Sequence, residues 1–348
     1  MGILDKETLN KKTFDKGIFD KDFVTLEHGS GGLLYRQLIE DVFLPAFANP
    51  ALNELGDASV VEAEGKRLAM TTDSFVVQPL FFPGGDIGRL AVCGTVNDLA
   101  VSGAKPAYLS TGMIIESGFP IKELKKIVHS MAQAAKEAGV KIVTGDTKVV
   151  AHGYCDGIYI NTAGIGFLPE LHVKRQIQPG DCIVINGSIG DHGMAVMAAR
   201  EGLSGVTSDV APLSGIILCL SQCVQPLVMR DPTRGGVAAT LNEWAEKYQV
   251  GIKLDESRLP ISNETGTLCD LLGIDPLCVA NEGKFLAVIS AGEAERALSA
   301  MKEHPLGKNS AIIGVVSEEY PKRVYLQTLY GGLRLIDMPS GELLPRIC

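Results

Sequence analysis

The chain has 348 residues, of which 46% are apolar, so it is long enough for about two domains with substantial cores. A net charge of −9, from 32 Lys and Arg against 41 Asp and Glu, disfavours binding to nucleic acid or to an anionic membrane surface. The sequence contains neither an apolar run as long as a membrane span nor an N-terminal signal peptide, so we expect a cytoplasmic protein without membrane partners. Its 39 glycines and 6% aromatic residues are typical of a turn-rich α/β enzyme.

The order of the predicted elements divides the chain. Residues 1–22 are charged and lack periodicity, which indicates an N-terminal extension. Strand and helix patterns then alternate, and they predict two mixed α/β domains over 23–168 and 169–335, separated by a polar, proline-containing stretch. Prolines and a glycine in 336–348 predict a mobile C-terminal tail.

The first predicted domain begins with an amphipathic stretch and an apolar strand over 68–72. Asp86 is placed to cap a helix that ends near Gly103. Residues 121–138 carry apolar side chains on one helical face, and the glycine that follows supplies a left-handed stop. A short strand over 140–144 comes next.

The second predicted domain repeats this alternation, beginning with a strand over 182–186. Apolar periodicity and turn residues mark the remaining elements. They are helices near 191–201, 213–228, 235–249, 263–272 and 292–303, and strands near 285–289 and 311–317.

Four aspartates each follow an apolar run or lie beside a turn. They are Asp57 in LGDASV, Asp73 in MTTDSF, Asp98 in TVNDLA and Asp146 in VTGDTK. Any one of them is compatible with an ordinary turn or cap, but strand ends bring side chains to a common rim. Two carboxylates about 5 Å apart at an effective dielectric of about 20 repel by roughly 3 kcal/mol, so a cluster requires cations. Mg²⁺, which also binds nucleotide phosphates, is the expected ion.

A glycine-rich loop precedes the amphipathic stretch over 33–42. Its residues are His28, Gly29, Ser30, Gly31 and Gly32. Backbone N–H groups at the start of a helix bind phosphate, so the loop is a candidate nucleotide contact. The sequence has neither a Walker A motif nor G-x-G-x-x-G, which disfavours a P-loop or Rossmann site.

Two polar clusters lie in apolar surroundings. In RDPTRGG, Asp231 stands between Arg230 and Arg234 at a helix start, which suits phosphate or metal contact but also a plain N-cap. In NEGK, Glu282 precedes an apolar strand, either as a positioned base or as a solvated turn residue.

The eight cysteines are scattered without C-x-x-C, so they indicate neither a zinc knuckle nor a disulfide framework. Cys348 differs from the others because it is the last residue, a position that excludes prenylation. Its thiol is either incidental or a tethered substrate, which a nucleotide site in the same chain would meet at about millimolar effective concentration.

Together these motifs resemble the HypE family of hydrogenase maturation proteins, within the PurM-like (AIR synthase-related) superfamily. They are HGSGG, GDASVV, TTDSFVV, VNDLAVSGAKP, TGDTKVV, DPTRGG, NEGK and the terminal PRIC, and the match covers residues 24–348. The resemblance implies two α/β domains, with the N-terminal domains pairing into a β-barrel in a homodimer. It also implies that ATP lies in a cleft near that interface.

The same resemblance implies a reaction. In the family, the terminal thiol, here Cys348, receives a carbamoyl group from the carbamoyltransferase HypF. ATP phosphorylates the carbamoyl oxygen, and loss of phosphate leaves a protein thiocyanate. The cyanide passes to iron in the HypC–HypD complex, for the Fe(CN)₂CO centre of [NiFe] hydrogenase.

Site residues follow from the resemblance by position. It implies that Mg²⁺ and phosphates are held by Asp57, Asp73, Asp98 and Asp146, with Asp231 as a further candidate. It implies that ATP is contacted by Asn97, Thr147 and the glycine loop. Glu282, assisted by Lys148, is the expected base for the amide protons.

Two other functions remain open from the sequence. A PurM-like kinase or synthetase, such as selenophosphate synthetase or thiamine-monophosphate kinase, would act on a small molecule. Selenophosphate synthetases carry a Cys or selenocysteine near the N-terminal glycine loop, whereas no cysteine precedes Cys93 here. A non-enzymatic thiol carrier would need no metal site, and the four aspartates weigh against it.

Overall fold

The computed structural model describes residues 24–29, 32–47, 49–169, 175–339 and 347–348. Two β-sheets organise the chain, one of five strands and one of seven. The five strands lie within residues 59–167 and the seven within residues 182–336. Among the described residues, no helix combines the length and apolarity that crossing a bilayer requires.

The N-terminal half contains seven described strands and four α-helices. The strands are β1 (Ser59–Ala63), β2 (Lys66–Phe75), β3 (Phe81–Phe82), β4 (Gly85–Asp86), β5 (Lys105–Glu116), β6 (Lys141–Val150) and β7 (Ile158–Phe167). The helices are α1 (Leu33–Leu38), α2 (Leu44–Phe47), α3 (Ile87–Val101) and α4 (Ile121–Ala138). The five-stranded sheet has the order β1-β2-β7-β5-β6, with β6 parallel to β5 and the other pairs antiparallel; β3 and β4 form a separate ribbon.

Local signals set the ends of the helices in this half. The Asp86 carboxylate accepts hydrogen bonds from the backbone N–H groups of Gly88 and Arg89, so it caps α3 as predicted. Helix α4 spans the predicted residues and stops at Gly139, whose φ of 72° suits glycine. The amphipathic stretch after the glycine loop is less regular, because a π-helical turn over Ile39–Phe43 joins α1 to α2.

Helices α3 and α4 cover one face of the five-stranded sheet, and α3 is buried along almost its whole length. The opposite face is open to solvent and carries large apolar side chains. Four of these are Met70, Tyr108, Ile114 and Phe167. Strand β6 is the edge, and its residues are exposed except for the last. Among the described residues, the outer face therefore leaves apolar surface uncovered, and one side of β6 has no partner strand.

The C-terminal half contains seven described strands and five α-helices. The strands are β8 (Cys182–Ile185), β9 (Val228–Arg230), β10 (Gly251–Asp255), β11 (Leu286–Ile289), β12 (Ala311–Ser317), β13 (Val324–Gln327) and β14 (Leu333–Ile336). The helices are α5 (Asp191–Arg200), α6 (Ser214–Cys223), α7 (Gly236–Tyr248), α8 (Asn263–Leu272) and α9 (Ala294–Glu303). The strand order is β14-β13-β10-β12-β8-β11-β9.

One predicted helix in this half needs correction. The helix expected over 213–228 ends at Cys223, because the chain turns to enter β9. Strand β14 pairs with β13 and places Leu335 opposite Tyr325, so regular structure continues to the first residue of the predicted tail.

The two halves share packing. Ala100 and Val101 at the end of α3 lie in one core cluster with apolar residues of α6 and α9. A second cluster combines α3 and α4 with residues of α5, and it includes Ile347 from the end of the chain. This shared core fixes the cleft between the halves.

Candidate functional site

Four aspartates from both halves approach one another in the cleft. Asp57 precedes β1, Asp73 lies on β2, Asp98 lies on α3 and Asp231 follows β9. Their carboxylates interact electrostatically, and those of Asp73 and Asp98 share a hydrogen bond. The hydroxyl oxygen of Thr71 lies 2.7 Å from Asp98 Oδ2 and 2.9 Å from the carbonyl oxygen of Asp57.

Burial raises the pKa of each of these carboxyls. The pKa values of Asp98 and Asp231 lie well above the ordinary range, because burial penalises the charge and neighbouring carboxylates repel it. Burial also raises the pKa of Asp57 to about 6, against the opposing charge of Arg230. The cluster thus concentrates more negative charge than its cationic neighbours neutralise.

Arg230 supplies part of that neutralisation. Its Nε lies 2.8 Å from Asp57 Oδ1, and its Nη1 pairs with Glu243. The N-cap of α7 is Gly235, so Asp231 is not a plain cap of that helix. Asp231 is buried among the carboxylates, which favours the metal or phosphate interpretation of DPTRGG.

Mg²⁺ fits the chemistry of this donor set, which consists of hard carboxylate oxygens. Within the described part of the chain, no three His, Cys or acidic side chains already surround one point as a ligand set. Mg²⁺ commonly binds through one or two carboxylates and completes its shell with phosphate oxygens and water. The four aspartates suit that mode of binding, together with a nucleotide.

Glu282 is 2% exposed and lies beside the cluster, so it is not a solvated turn residue. Burial raises its pKa well above the ordinary range, and Asp231, Asp209 and Asp73 add repulsion. Its Oε1 has no hydrogen-bond partner among the described residues. A buried, unpaired carboxyl with a raised pKa is suited to accept a proton from a bound group.

Asp209 fixes the backbone at Glu282. Its carboxylate accepts hydrogen bonds from the N–H groups of Glu282 at 3.2 Å and Gly283 at 3.1 Å. Lys284 Nζ pairs with the same carboxylate at 3.0 Å, and this pair lowers the pKa of Asp209 despite its burial. Asp209, paired with Lys284, therefore fixes the backbone from which the Glu282 side chain extends.

Asn97, a predicted nucleotide contact, is buried and hydrogen-bonded to backbone, and its contact with a nucleotide stays a prediction. Its amide Nδ2 donates to the carbonyl oxygens of Ala211 at 3.1 Å and Glu282 at 3.2 Å. Its Oδ1 accepts a hydrogen bond from the N–H of Leu213 at 2.8 Å. Because these contacts use both amide protons, Asn97 ties α3 to the second half of the chain.

The last two residues of the chain lie inside the cleft. The N–H of Val76 donates to a terminal carboxylate oxygen of Cys348 at 3.2 Å, and Ile347 is 6% exposed. Burial raises the pKa of the Cys348 thiol to about 12, although the nearby Arg234 guanidinium opposes this shift. Cys348 itself is partly exposed and packs against the core cluster that contains Ile347, while 340–346 lie outside the described residues.

Arg234 joins the thiol to the other parts of the cleft. Its charge acts on Cys348, Asp73 and Glu282, and its ring contact is with Tyr35 at 5.8 Å. Its Nη1 donates to the carbonyl oxygen of Gly29 at 3.1 Å. Arg234 therefore ties the glycine loop to the same site.

The rest of the glycine loop is only partly described. His28 Nδ1 lies 3.1 Å from the backbone nitrogen of Thr25, and Gly32 precedes the first turn of α1. Ser30 and Gly31 lie outside the described residues. The predicted contact between this loop and phosphate stays a prediction.

Asp146, Thr147 and Lys148 do not join the buried carboxylates. They lie in the middle of β6, where Asp146 and Lys148 pair at 3.3 Å with 72% of each side chain exposed. The predicted strand over 140–144 was too short, so Asp146 is not at a strand end. It aligns with Gly112, whose other neighbour Asn161 is on the exposed face of the sheet.

Three residues of the site were missed from the sequence. The charge of Arg234 acts on Cys348 and Glu282, Asp209 accepts a hydrogen bond from the Glu282 backbone, and His192 contacts the Ile347 carbonyl oxygen. Ile347 lies 155 positions from its hydrogen-bond partner His192. The position of Arg234 in the polar motif DPTRGG indicated a site residue, but no sequence pattern indicates Asp209 or His192.

Comparisons with known proteins agree with this architecture. Residues 55–168 match the family model "AIR synthase related protein, N-terminal domain", and 178–327 match its C-terminal counterpart. Carbamoyl dehydratase HypE of Azotobacter vinelandii is 49% identical, over 93% of this chain and 97% of the relative.

Two solved structures are also similar. The chain is 52% identical to a chain in the crystal structure of a HypE–HypF complex, with a TM-score of 0.81 over 87% of this chain and 99% of that one. It is 45% identical to a HypE structure in complex with ATP, with a TM-score of 0.78 over 94% of this chain and all of that one, 100%.

Proposed function

Because the chain belongs to the carbamoyl dehydratase HypE family of AIR synthase-related proteins, we propose that it dehydrates a carbamoyl group carried on its own Cys348. The reaction uses ATP and leaves a protein thiocyanate. The observation that carries this proposal is the position of Cys348 in the cleft, beside Arg234 and the buried carboxylates. A thiol that served only as a surface carrier would gain nothing from this burial.

The reaction needs two proton transfers and one phosphoryl transfer. Glu282 accepts the first amide proton as the carbamoyl oxygen attacks the γ-phosphorus of ATP, which forms a C–O–P link and releases ADP. The C–O bond then breaks with its electron pair going to phosphate, and the leaving phosphate takes the second amide proton. The product is S–C≡N on Cys348. The raised pKa of Glu282 matches the role of proton acceptor.

Charged side chains around the tail would bind the metal ion and orient the group on Cys348. Asp57, Asp73, Asp98 and Asp231 would hold Mg²⁺, which when bound neutralises charge on the transferred phosphoryl group. Arg234 orients the group on Cys348 and balances negative charge beside it. The shared core excludes water from the thiol end of the cleft.

The partners follow from the same chemistry. We assign carbamoyl transfer to a HypF protein, in line with the similarity to the HypE chain of a HypE–HypF complex. The cyanide acceptor would be a HypC–HypD complex carrying iron. The loading step needs an accessible thiolate, whereas the docked thiol has a pKa of about 12, so loading would occur with the tail released.

A homodimer is part of this proposal. The outer face of the five-stranded sheet exposes Met70, Tyr108, Ile114 and Phe167, and β6 is an uncovered edge. A second copy of the chain would bury both features by placing its own outer face against this one. Asp146 and Lys148 belong to β6, so the dimer would change their surroundings most.

Intact mass spectrometry tests the reaction. The protein is incubated with HypF, carbamoyl phosphate and MgATP, and compared with Cys348→Ala. We expect a gain of about 43 Da that falls to about 25 Da, as carbamoyl and then nitrile replaces hydrogen. The variant should acquire neither mass while still binding ATP. ATP turnover without any adduct on the wild type would overturn the proposal and favour a small-molecule PurM-like enzyme.

A further inference from the structure

The docked end of the tail is held through its backbone at two points. Val76 N–H donates to a terminal carboxylate oxygen of Cys348, and His192 Nε2 lies 2.6 Å from the carbonyl oxygen of Ile347. The Ile347 side chain also enters the core cluster that joins the two halves. None of these contacts involves the sulfur atom.

The surroundings of His192 define which nitrogen carries the proton. The ring is fully buried, and burial lowers its pKa, so it is neutral near pH 7. Its Nδ1 lies 2.8 Å from Ser208 Oγ, and that oxygen accepts a hydrogen bond from Val210 N–H at 3.2 Å. Because the Ile347 carbonyl oxygen can only accept, the proton of the neutral ring is on Nε2, and Nδ1 accepts from the Ser208 hydroxyl.

The ring is also fixed in direction. His192 packs edge-on against Phe82, with ring centroids 5.4 Å apart. Ser208 is held in turn, because its backbone N–H donates to the carbonyl oxygen of Pro83 at 2.8 Å. The neighbouring Asp209 holds the backbone of Glu282, so one short loop positions both the tail and the candidate base.

We propose that His192 is a positioning residue that holds the C-terminal tail in the cleft by donating its Nε2 proton to the Ile347 carbonyl oxygen. The contact is to backbone, so it is the same whether Cys348 carries a thiol, a carbamoyl group or a nitrile. His192 thereby sets how long the substrate group stays beside Glu282. Only this last consequence rests on the proposed function, because docking itself needs neither ATP nor HypF.

The test measures access to Cys348 in the full-length protein. N-ethylmaleimide is added without nucleotide, and alkylation of each cysteine is followed by peptide mass spectrometry. Cys223, which is exposed, serves as the internal reference. We expect His192→Leu to raise the Cys348 alkylation rate about tenfold, since one buried hydrogen bond to the tail is lost. His192→Gln retains an N–H donor near Nε2 and should stay within about threefold of wild type.

A control separates docking from general stability. Met301→Ala creates a cavity in a core cluster that does not contain the tail, and it should lower the melting temperature without changing the ratio of Cys348 to Cys223 alkylation. Equal increases for Leu and Gln at position 192, or no increase for Leu, would overturn the role of His192. If His192→Leu and His192→Gln differ as expected but no carbamoyl adduct forms in the wild type, the role of His192 in holding the tail is supported and the proposed function fails.

Discussion

The side-chain amide of Asn97 donates a hydrogen bond to the carbonyl oxygen of Glu282 at 3.2 Å. Asn97 lies on the buried helix α3, directly before Asp98, whereas Glu282 belongs to the second half of the chain. The contact therefore sets the distance between a carboxylate of the acidic cluster and the candidate base. Two further hydrogen bonds, to Ala211 and Leu213, make this tie rigid.

Replacing Asn97 with Asp should destabilise the fold. The variant keeps the shape of the side chain but loses both N–H donors and faces two carbonyl oxygens with a carboxylate. We expect the free energy of unfolding to fall by about 2–4 kcal/mol, as measured by urea denaturation at pH 8. Asn49→Asp is the matched control, because the Asn49 amide also donates to a backbone carbonyl, that of Phe47, but is exposed and lies outside the five-stranded sheet; its loss should stay below about 1 kcal/mol. Equal losses would contradict the role of Asn97 as a buried tie.

The acidic cluster predicts an unusual dependence of stability on pH and Mg²⁺. The pKa values of Asp98 and Asp231 are raised in the folded state, so the folded protein binds more protons than the unfolded chain above about pH 4. Their protonation favours the fold at low pH, and this contribution is lost as pH rises through the raised values. Without Mg²⁺, the cluster should therefore destabilise the protein most at pH 8.

Thermal unfolding with and without Mg²⁺ at pH 6 and pH 8 measures this effect. We expect Mg²⁺ to raise the melting temperature more at pH 8 than at pH 6, since bound cations offset the repulsion. Burial lowers the pKa of His192, so its protonation at low pH favours the unfolded chain, opposite to the effect of the aspartates. This contribution is the same with and without the ion. A stabilisation by Mg²⁺ that did not grow with pH would argue against binding at these carboxylates.

Asp98→Asn tests the same cluster by substitution. The amide oxygen can still accept a hydrogen bond from Thr71, and the variant removes one buried carboxylate. We expect the Mg²⁺-free variant to be more stable than wild type at pH 8 by about 1–3 kcal/mol, the size of a carboxylate repulsion in such a site. Its ATP turnover should be lost. A Mg²⁺-free variant less stable than wild type would show that this carboxylate is already satisfied without metal.

Local patterns in the sequence predicted what depends on local structure. The cap at Asp86 and the stop at Gly139 are set by neighbouring backbone, and both predictions are confirmed. Asp57, Asp73, Asp98 and Asp146 were predicted to meet because strand ends bring side chains to a common rim; the structure brings the first three together, with Asp98 on a helix.

Other features depend on register or on distant contacts. The pattern VTGDTK resembles a strand end, but pairing with β5 extends β6 past Asp146 and moves that side chain to the exposed face. The partial burial of Cys348 accompanies its hydrogen bond with Val76, and its thiol lies within the field of Arg234; both residues are remote from it in sequence. A periodicity within ten or twenty residues carries no information about such pairs.

The outer face of the five-stranded sheet predicts the oligomeric state. Ile114 lies on this face and is 43% exposed, so Ile114→Glu should cost the isolated chain little. In a dimer that buries this face, the same change would place two carboxylates in an apolar interface. Light scattering should give twice the chain mass of 37.0 kDa for wild type and the single mass for the variant.

Leu271→Glu provides the control for that experiment. Leu271 is 73% exposed on α8 in the other half of the chain, so its substitution should leave the mass unchanged. If both variants kept the wild-type mass, the outer face would not be the dimer interface.

Glu282→Gln separates loading from dehydration. The amide has the shape of the acid but cannot accept the amide proton, so the adduct of about 43 Da on Cys348 should accumulate without falling to about 25 Da. HypF and carbamoyl phosphate would still load the thiol, because Glu282 takes no part in that step. Intact mass spectra over time give both rates for the same sample.

The stability of the Glu282→Gln variant gives a second, independent readout. Burial and neighbouring carboxylates raise the pKa of Glu282 in the folded state. This acid therefore lowers the free energy of unfolding of the wild type at pH 8, whereas the uncharged amide of the variant does not. We expect the variant to be more stable than wild type at pH 8, with the difference shrinking towards pH 5. Glu303→Gln, at an exposed position of α9, should change neither the adduct nor the stability by more than about 0.5 kcal/mol. Conversion to the nitrile at the wild-type rate by the Gln variant would rule out Glu282 as the base.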